Sequence, residues 1–298
     1  TLTNMPSIES TQTSLAVGGA AGENLGAVTF VTSTNLKFEQ FSEYQYLGGI
    51  VGINGSKGNA TNANVQKSTY SGTMTEKPST SKAGNCYGGI AGINYATLSD
   101  NEVDQITMTI DGIYTATSTS TEEQKEVSAT HAGGITGKNE ENAVVENCIL
   151  KDNDKSTLSA KNGMLGGITG FNKGTIRMSG SDKTSTILSG SDIEVTGTTF
   201  ENLDKLEAKA SAQLKADEYA VNTSSKNQIA EMDYSNSNKS VKDNRLEMYV
   251  ETNGNLGGIT AYNGTTGEMT GCVSGNWFLV NKSQAIGVGT GGVIGMNS

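Results

Sequence analysis

One seven-residue motif recurs seven times along this chain of 298 residues, and it restricts the fold more than any other feature. Its consensus is G-G-I-x-G-x-N, and its copies begin at Gly18, Gly48, Gly88, Gly133, Gly166, Gly257 and Gly291. Ala261 is the only loss of the third glycine, while Ala20 and Val293 replace the isoleucine in the first and last copies. The starts lie 30, 40, 45, 33, 91 and 34 residues apart. A fixed motif at varying spacing implies constant rungs joined by loops of different length. A single rung cannot bury its apolar face alone, so the rungs must stack into one continuous core. The expected fold is all-β, a parallel β-helix or β-solenoid with long loops, running as one unit over residues 1–298.

Each motif position then has an expected role. Ile50, Ile90, Ile135, Ile168, Ile259 and Val293 point to the axis. Asn54, Asn94, Asn139, Asn172, Asn263 and Asn297 stack as a side-chain amide ladder, as asparagine does in other in-register sheets. The paired glycines permit a tight corner with unusual φ or a close approach of neighbouring backbones. With rungs about 4.8 Å apart, seven to ten coils would span roughly 35–50 Å. Val28/Phe30 and Ile176/Met178 alternate with period two, the mark of a strand after the motif. Small residues recur nine positions after the asparagine: Ser33, Ala63, Cys148, Ser181 and Cys272. The alternative architecture is a β-propeller, whose four-stranded blades need about 40–50 residues each. The shorter spacings argue against it.

The interval 197–253 breaks the rhythm. Thr198 and Glu201 form a potential capping box, and a helix is expected over about 201–217, with Leu203, Leu206, Ala210 and Leu214 on one stripe. A polar stretch and a strand from Arg245 to Thr252 complete this helix-containing excursion. The expected role is a decorating excursion packed on the solenoid's flank, with a partner-binding protrusion as the alternative, since long excursions on rigid scaffolds often carry recognition.

Composition agrees with a β architecture and excludes several classes. Glycine is 38 of 298 residues, with only 2 prolines and 17% charged residues, which fits neither a helical bundle nor collagen. No apolar run approaches the ~20 residues of a membrane helix. A net charge of −10 supplies no basic stripe for nucleic acid. The chain opens at Thr1 without an export signal and has no clear cap after Asn297. A processed product or a segment of a longer protein is therefore expected, with further coils or end-to-end stacking of copies.

Chemistry-bearing residues are sparse. His131 is the sole histidine, so multi-histidine metal sites are impossible, and a Cys-His or Ser-His-Asp device could use only His131. Its place just before Gly133 suggests a corner or surface role. Cys86, Cys148 and Cys272 form no CxxC pair and are expected as small buried residues. Three acidic groups, Asp100/Glu102/Asp104, Glu122/Glu123 and Glu140/Glu141, could in principle serve a glycosidase or polysaccharide lyase, but are expected in solvated loops. Asp152-Asn153-Asp154 lacks the glycine and glutamate that complete a calcium loop. Tyr44, Tyr46, Tyr87, Phe171, Tyr262, Trp277 and Phe278 are expected mainly in the core, with sugar stacking as the functional alternative. Sequons at Asn59 and Asn281 are of the kind that Asn/Ser/Thr richness produces by chance. No catalytic, cofactor or metal residue is assigned.

The G-G-I-x-G-x-N motif, followed by a short strand and a cysteine, resembles the GLUG-type repeats of bacterial surface proteins. The resemblance covers roughly residues 18–180 and 254–298, with Ala20, Ala261 and several missing cysteines as departures. It implies a non-enzymatic, extracellular structural or adhesive module on the bacterial cell surface or secreted, a stalk or ligand-display segment meeting a host or matrix protein or glycan. It implies equally the non-catalytic region of a surface protein such as an IgA-specific metallopeptidase. A carbohydrate-active β-helix enzyme is the third expectation.

Overall fold

A computed structural model of the protein describes residues 2–3, 15–41, 44–58, 62–78, 80, 82–151, 156–182, 246–274, 277–283 and 288–298. They belong to the compact unit formed by residues 1–185 and 244–298. This unit is a parallel β-solenoid. The second half of every motif is a strand: Ala21–Asn24, Val51–Asn54, Ala91–Asn94, Thr136–Asn139, Thr169–Asn172, Thr260–Asn263 and Ile294–Asn297. These stack in chain order as a seven-stranded sheet. After a corner, Ala27–Thr29, Asn64–Gln66, Thr97–Ser99, Val144–Glu146, Thr175–Arg177 and Glu268–Thr270 form a six-stranded sheet. A 15-stranded sheet closes the coil. It holds the long strands that follow, such as Glu102–Ile110, and the short ones that lead into the next motif, such as Cys86–Gly88 and His131–Gly133.

Among the described strands every pairing is parallel, and the motif strands join equivalent positions, Ile53 to Ile93 and Asn54 to Asn94 to Asn139. A propeller is excluded, because its blades would be separate sheets around an axis. Thr157–Gly166 shows the coil without a loop at its closing corner: one strand pairs first with Thr107–Ile110 and then with His131–Gly133. The widest spacing has a simple geometric place. Gly180–Asp182 pairs with Ile149–Lys151, and Glu247–Val250 pairs with Thr157–Ala160. The described strands on either side of residues 183–245 are therefore the equivalents of those on either side of residues 152–155 one coil earlier. The expected helix over 201–217 lies outside the described residues. Regular pairing is regained at Leu246–Gly257, so the last residues assigned by sequence to the excursion belong to a solenoid rung.

The core follows from the motif. Ile50, Ile90, Ile135, Ile168 and Ile259 are fully buried with Leu47, Tyr87, Leu98, Val145 and Leu165. Val293 is the exception at 43% exposed, because the last described rung has a neighbour on one side only. The asparagines form a continuous ladder. Asn24 Nδ2 donates to Asn54 Oδ1 at 2.8 Å, Asn54 to Asn94 at 2.9 Å and Asn94 to Asn139 at 2.9 Å. The chain continues from Asn139 to Asn172, Asn263 and Asn297 at 2.9, 2.8 and 2.9 Å. Most of these amides also donate to a corner carbonyl, as Asn54 does to Thr97 at 2.9 Å. Each buried amide thus satisfies both itself and the turn.

The paired glycines serve contact, not unusual torsion. The left-handed φ values belong to other glycines, such as Gly112. At Gly89 a Cβ would lie 2.3 Å from the Gly134 carbonyl oxygen and 2.7 Å from Val103. A different corner does use strain. Phe30, Lys67, Asp100, Asn147 and Met178 all have φ between 49° and 55°, and Gly271 has 62°. These residues end the strands expected to run through Phe30 and Met178. They also correct the spacing of the small residues. The residues that stack after this turn are Val31, Ser68, Asn101, Cys148, Ser179 and Cys272, linked by bonds such as Ser68 N to Asn101 Oδ1 at 3.0 Å and Cys148 N to Ser179 Oγ at 3.1 Å. Ser33, Ala63 and Ser181 are not their equivalents, since the preceding corner varies in length.

Two pairs of variants test this account. Asn94→Ala removes a mid-ladder amide and leaves the Asn139 carbonyl oxygen without its ladder donor, costing about 2–4 kcal/mol in denaturant unfolding. Asn24→Ala at the ladder's first link costs about 1 kcal/mol. Gly89→Ala costs more than about 3 kcal/mol or prevents folding. Gly26→Ala, whose Cβ would meet nothing within 4 Å, stays within about 0.5 kcal/mol.

Candidate functional site: a cleft on the outer face

The motif corner also creates an outer surface. Tyr46, Cys86, His131 and Met164 are register partners on the strands entering the motif. Ile53, Ile93, Lys138, Phe171, Tyr262 and Met296 are register partners on the strands leaving it. Side chains at i and i+2 share a face of a strand, so each set forms a column. Phe171 and Tyr262 are stacked at 4.9 Å, and the His131 ring meets Phe171 edge-on at 5.2 Å.

Part of this outer face is covered by the chain itself. Between Ile110 and His131 the chain makes an excursion with a short helix, α1 (Glu122–Val127). Tyr114, Ala116 and Ala129 of the excursion pack on Met164, Phe171, Ala261 and Tyr262 as a second apolar cluster. Thr121 caps α1 in a reciprocal capping box with Gln124, which satisfies free N–H groups at the helix start. The strap is fixed at its start and at its helix. Asp111 N and Gly112 N donate to the buried Glu76 carboxylate at 2.9 and 3.1 Å, and Tyr87 Oη donates to its other oxygen at 2.7 Å. Thr265 N donates to Glu122 Oε2 at 2.8 Å.

Where the strap ends, a cleft of about 260 Å³ opens. Ile93, Cys86, His131 and Lys138 line it, with Tyr46, Tyr95, Glu126 and Glu140 around them. Lys138 is the junction of the polar groups. Its ammonium donates to Glu126 and, at 2.6 Å, to Glu140, while Lys173 donates to the other Glu126 oxygen at 3.0 Å. Burial disfavours the Glu126 carboxylate, but the hydrogen bonds and charges of Lys138 and Lys173 outweigh this and hold its pKa below the usual carboxylate range. Burial also works against the Lys138 ammonium, and the facing Cys86, Glu140 and Glu126 reverse that effect and raise it.

His131 Nε2 lies 2.8 Å from the Glu126 carbonyl oxygen. A carbonyl only accepts, so Nε2 carries the proton and Nδ1 keeps its lone pair. Nδ1 has no partner in a ring that is 1% exposed. Burial first, and then the Lys138 charge, lower its pKa to about 4. Burial pushes the neighbouring Cys86 thiol up to about 12. At neutral pH the two are a thiol and a neutral imidazole, not a thiolate–imidazolium pair. The site offers hydrogen bonding, aromatic surface and fixed charge.

The structure puts some of the other singled-out residues where they are expected and others elsewhere. His131 is buried in a strand, not at a corner or surface. Of the acidic groups, Glu123 and Glu141 are exposed, the latter in a turn as expected, while others are engaged. Asp100 sits at a strained corner and accepts from Asn147 at 2.6 Å. Glu102 lies in a strand and pairs with Lys151 at 2.5 Å. Glu122 and Glu123 start α1, and Glu140 joins Lys138. Cys86 and Cys148 are buried free thiols, and Cys272 is partly exposed. The Asn281 amide is engaged by Gly254 O and Thr290 Oγ1 at 3.0 and 2.8 Å. Asp152, Asn153, Asp154 and Asn59, and the side chains of Tyr44, Trp277 and Phe278, lie outside the described residues. Sequence reasoning missed Glu126 and Lys138. The Thr121/Gln124 capping box was a usable signal for α1, whereas Lys138 stood at a motif position that looked unconstrained.

Because the His131 pKa is depressed in the fold, the unfolded chain binds its proton first as pH falls. The neutral ring's contribution is complete above about pH 6.5 and is lost as pH falls towards 4, by about 3 kcal/mol in all. Unfolding free energies of the parent and His131→Leu, measured between pH 7.5 and 4, check this: over that range the variant loses about 3 kcal/mol less than the parent. No protein-family model matches the chain, and no curated protein and no solved structure matches it either.

Proposed function

We propose that this chain is a structural and adhesive module of an extracellular bacterial surface protein, a stiff segment that displays loops and an outer cleft to a host or matrix protein or glycan. The observation that carries this reading is the division of labour within each coil. The invariant positions are consumed in holding rung to rung, through the amide ladder and the glycine contacts. Length varies at the corner insertions, which alter a surface without disturbing the core. The likeness of G-G-I-x-G-x-N to GLUG-type repeats supports the same reading. It is shared by the second reading, the non-catalytic region of a surface metallopeptidase, which differs only in what neighbouring domains do.

An enzymatic β-helix is the less supported reading. Such an enzyme needs two acids facing across a groove. The two carboxylates in the cleft, Glu126 and Glu140, are both bound to the same lysine.

An array of matrix proteins and glycans probed with the purified chain tests the proposal. Saturable binding to at least one class is expected, with no new reducing ends or unsaturated products when polysaccharides are incubated with it. Turnover of a polysaccharide would replace the adhesive reading by the enzymatic one, and a chain that binds nothing on the array would remove it.

A further inference from the structure

We propose that the cleft beside α1 binds a sugar carrying a carboxylate, a terminal residue of the uronic-acid type. The inference rests on the display reading and names the ligand class for one surface of it. Four observations converge on this chemistry. The first is size. About 260 Å³ is just below the ~300–1,000 Å³ of sites for drug-sized ligands, and suits about one sugar ring.

The second is the mixture of surfaces. Ile93 and the rings of Tyr46 and Tyr95 line the cleft beside Gln45 and Glu140. Sugars present C–H faces that pack on tyrosine, and hydroxyls that need amide and carboxylate partners. The third is unclaimed hydrogen-bonding capacity. Among the described residues, neither the Tyr95 hydroxyl nor the Lys57 ammonium has a hydrogen-bond partner. The His131 Nδ1, in a buried ring of the lining, also lacks a donor.

The fourth is charge. In a protein of net charge −10, the cleft lining balances two ammoniums, Lys57 and Lys138, against two carboxylates, Glu126 and Glu140, and Lys173 behind it is paired with Glu126. Lys138 and Lys173 are held by those carboxylates, which leaves Lys57 at the rim to meet an anion. A neutral sugar leaves that charge unanswered, and an amino sugar would add to it.

Calorimetric titration of the full chain with glucuronic acid, glucose and glucosamine provides the test. Glucuronic acid should bind saturably and about tenfold more tightly than glucose, with glucosamine weakest. Lys57→Met should erase the tenfold preference while leaving glucose binding unchanged. Tyr95→Phe should weaken both sugars severalfold, and thermal melts should show both variants folded. Equal affinities of parent and variants for glucuronic acid, or no saturable binding by the parent, would overturn the assignment. If the parent ignores these sugars but captures another ligand on the array, the cleft assignment falls and the display reading stands. If it captures nothing on either, both fall.

Discussion

Successive coils of this protein touch through bare backbone at the motif corner, and the rest of the structure depends on that contact. Gly49 meets the Gly89 carbonyl, Gly89 meets that of Gly134, and Gly134 meets that of Gly167, each within a distance that excludes a Cβ. The third glycine, as at Gly92 and Gly137, brings the strand leaving the corner against the backbone entering it. Once the corner is drawn this tight, the isoleucine is directed to the axis and the asparagine four residues on reaches its counterpart in the next coil. The amide ladder is thus a consequence of the glycine contact as well as a reinforcement of it. It also holds register, since a one-residue slip would turn every buried side chain outward.

The tight corner also explains why a site can exist on the outside. Bringing two strands together leaves their outward columns side by side in one groove. Large apolar residues there, Phe171 and Tyr262 among them, need a cover, and the excursion carrying α1 supplies it. The cover ends at Lys138. There the apolar row is interrupted by an ammonium that needs carboxylates, which α1 and the corner after Asn139 provide through Glu126 and Glu140. The cleft is therefore the uncovered remainder of a groove built by the repeat, given polarity by one change in the motif's second variable position.

Much of this was legible in the sequence, and the reasons for the rest are physical. Recurrence at fixed motif and varying spacing specified parallel stacking, because only in-register rungs place Ile50 on Ile90 and Asn54 on Asn94. The turn at Phe30, Lys67, Asp100, Asn147 and Met178 was not legible, since three of its five residue types, Phe, Lys and Met, give no signal for a left-handed conformation. The stacked geometry imposes it. The nine-residue rule failed because it counted through a corner whose length differs from coil to coil. The outer groove left a signal that went unread: Ile53, Ile93, Phe171, Tyr262 and Met296 occupy a position treated as free, and such a row of large apolar side chains implies a covered face.

The corner insertions give the fold its capacity to vary. In a solenoid each coil contacts only its neighbours, so stability is close to a sum over coils and adjacent interfaces. Lengthening a surface loop costs only about 0.6 kcal/mol per doubling of its length. Changing a rung glycine or asparagine affects two interfaces at once. Selection can therefore rebuild loops freely while the rung stays fixed, as the excursion before His131 and the plain strand Thr157–Gly166 show in successive coils. The excursion does more than decorate, because its glutamate completes the charge pattern around a lysine of the following rung. A recognition surface on such a scaffold arises where an insertion and a motif position meet, which is the place of the cleft between α1 and Lys138.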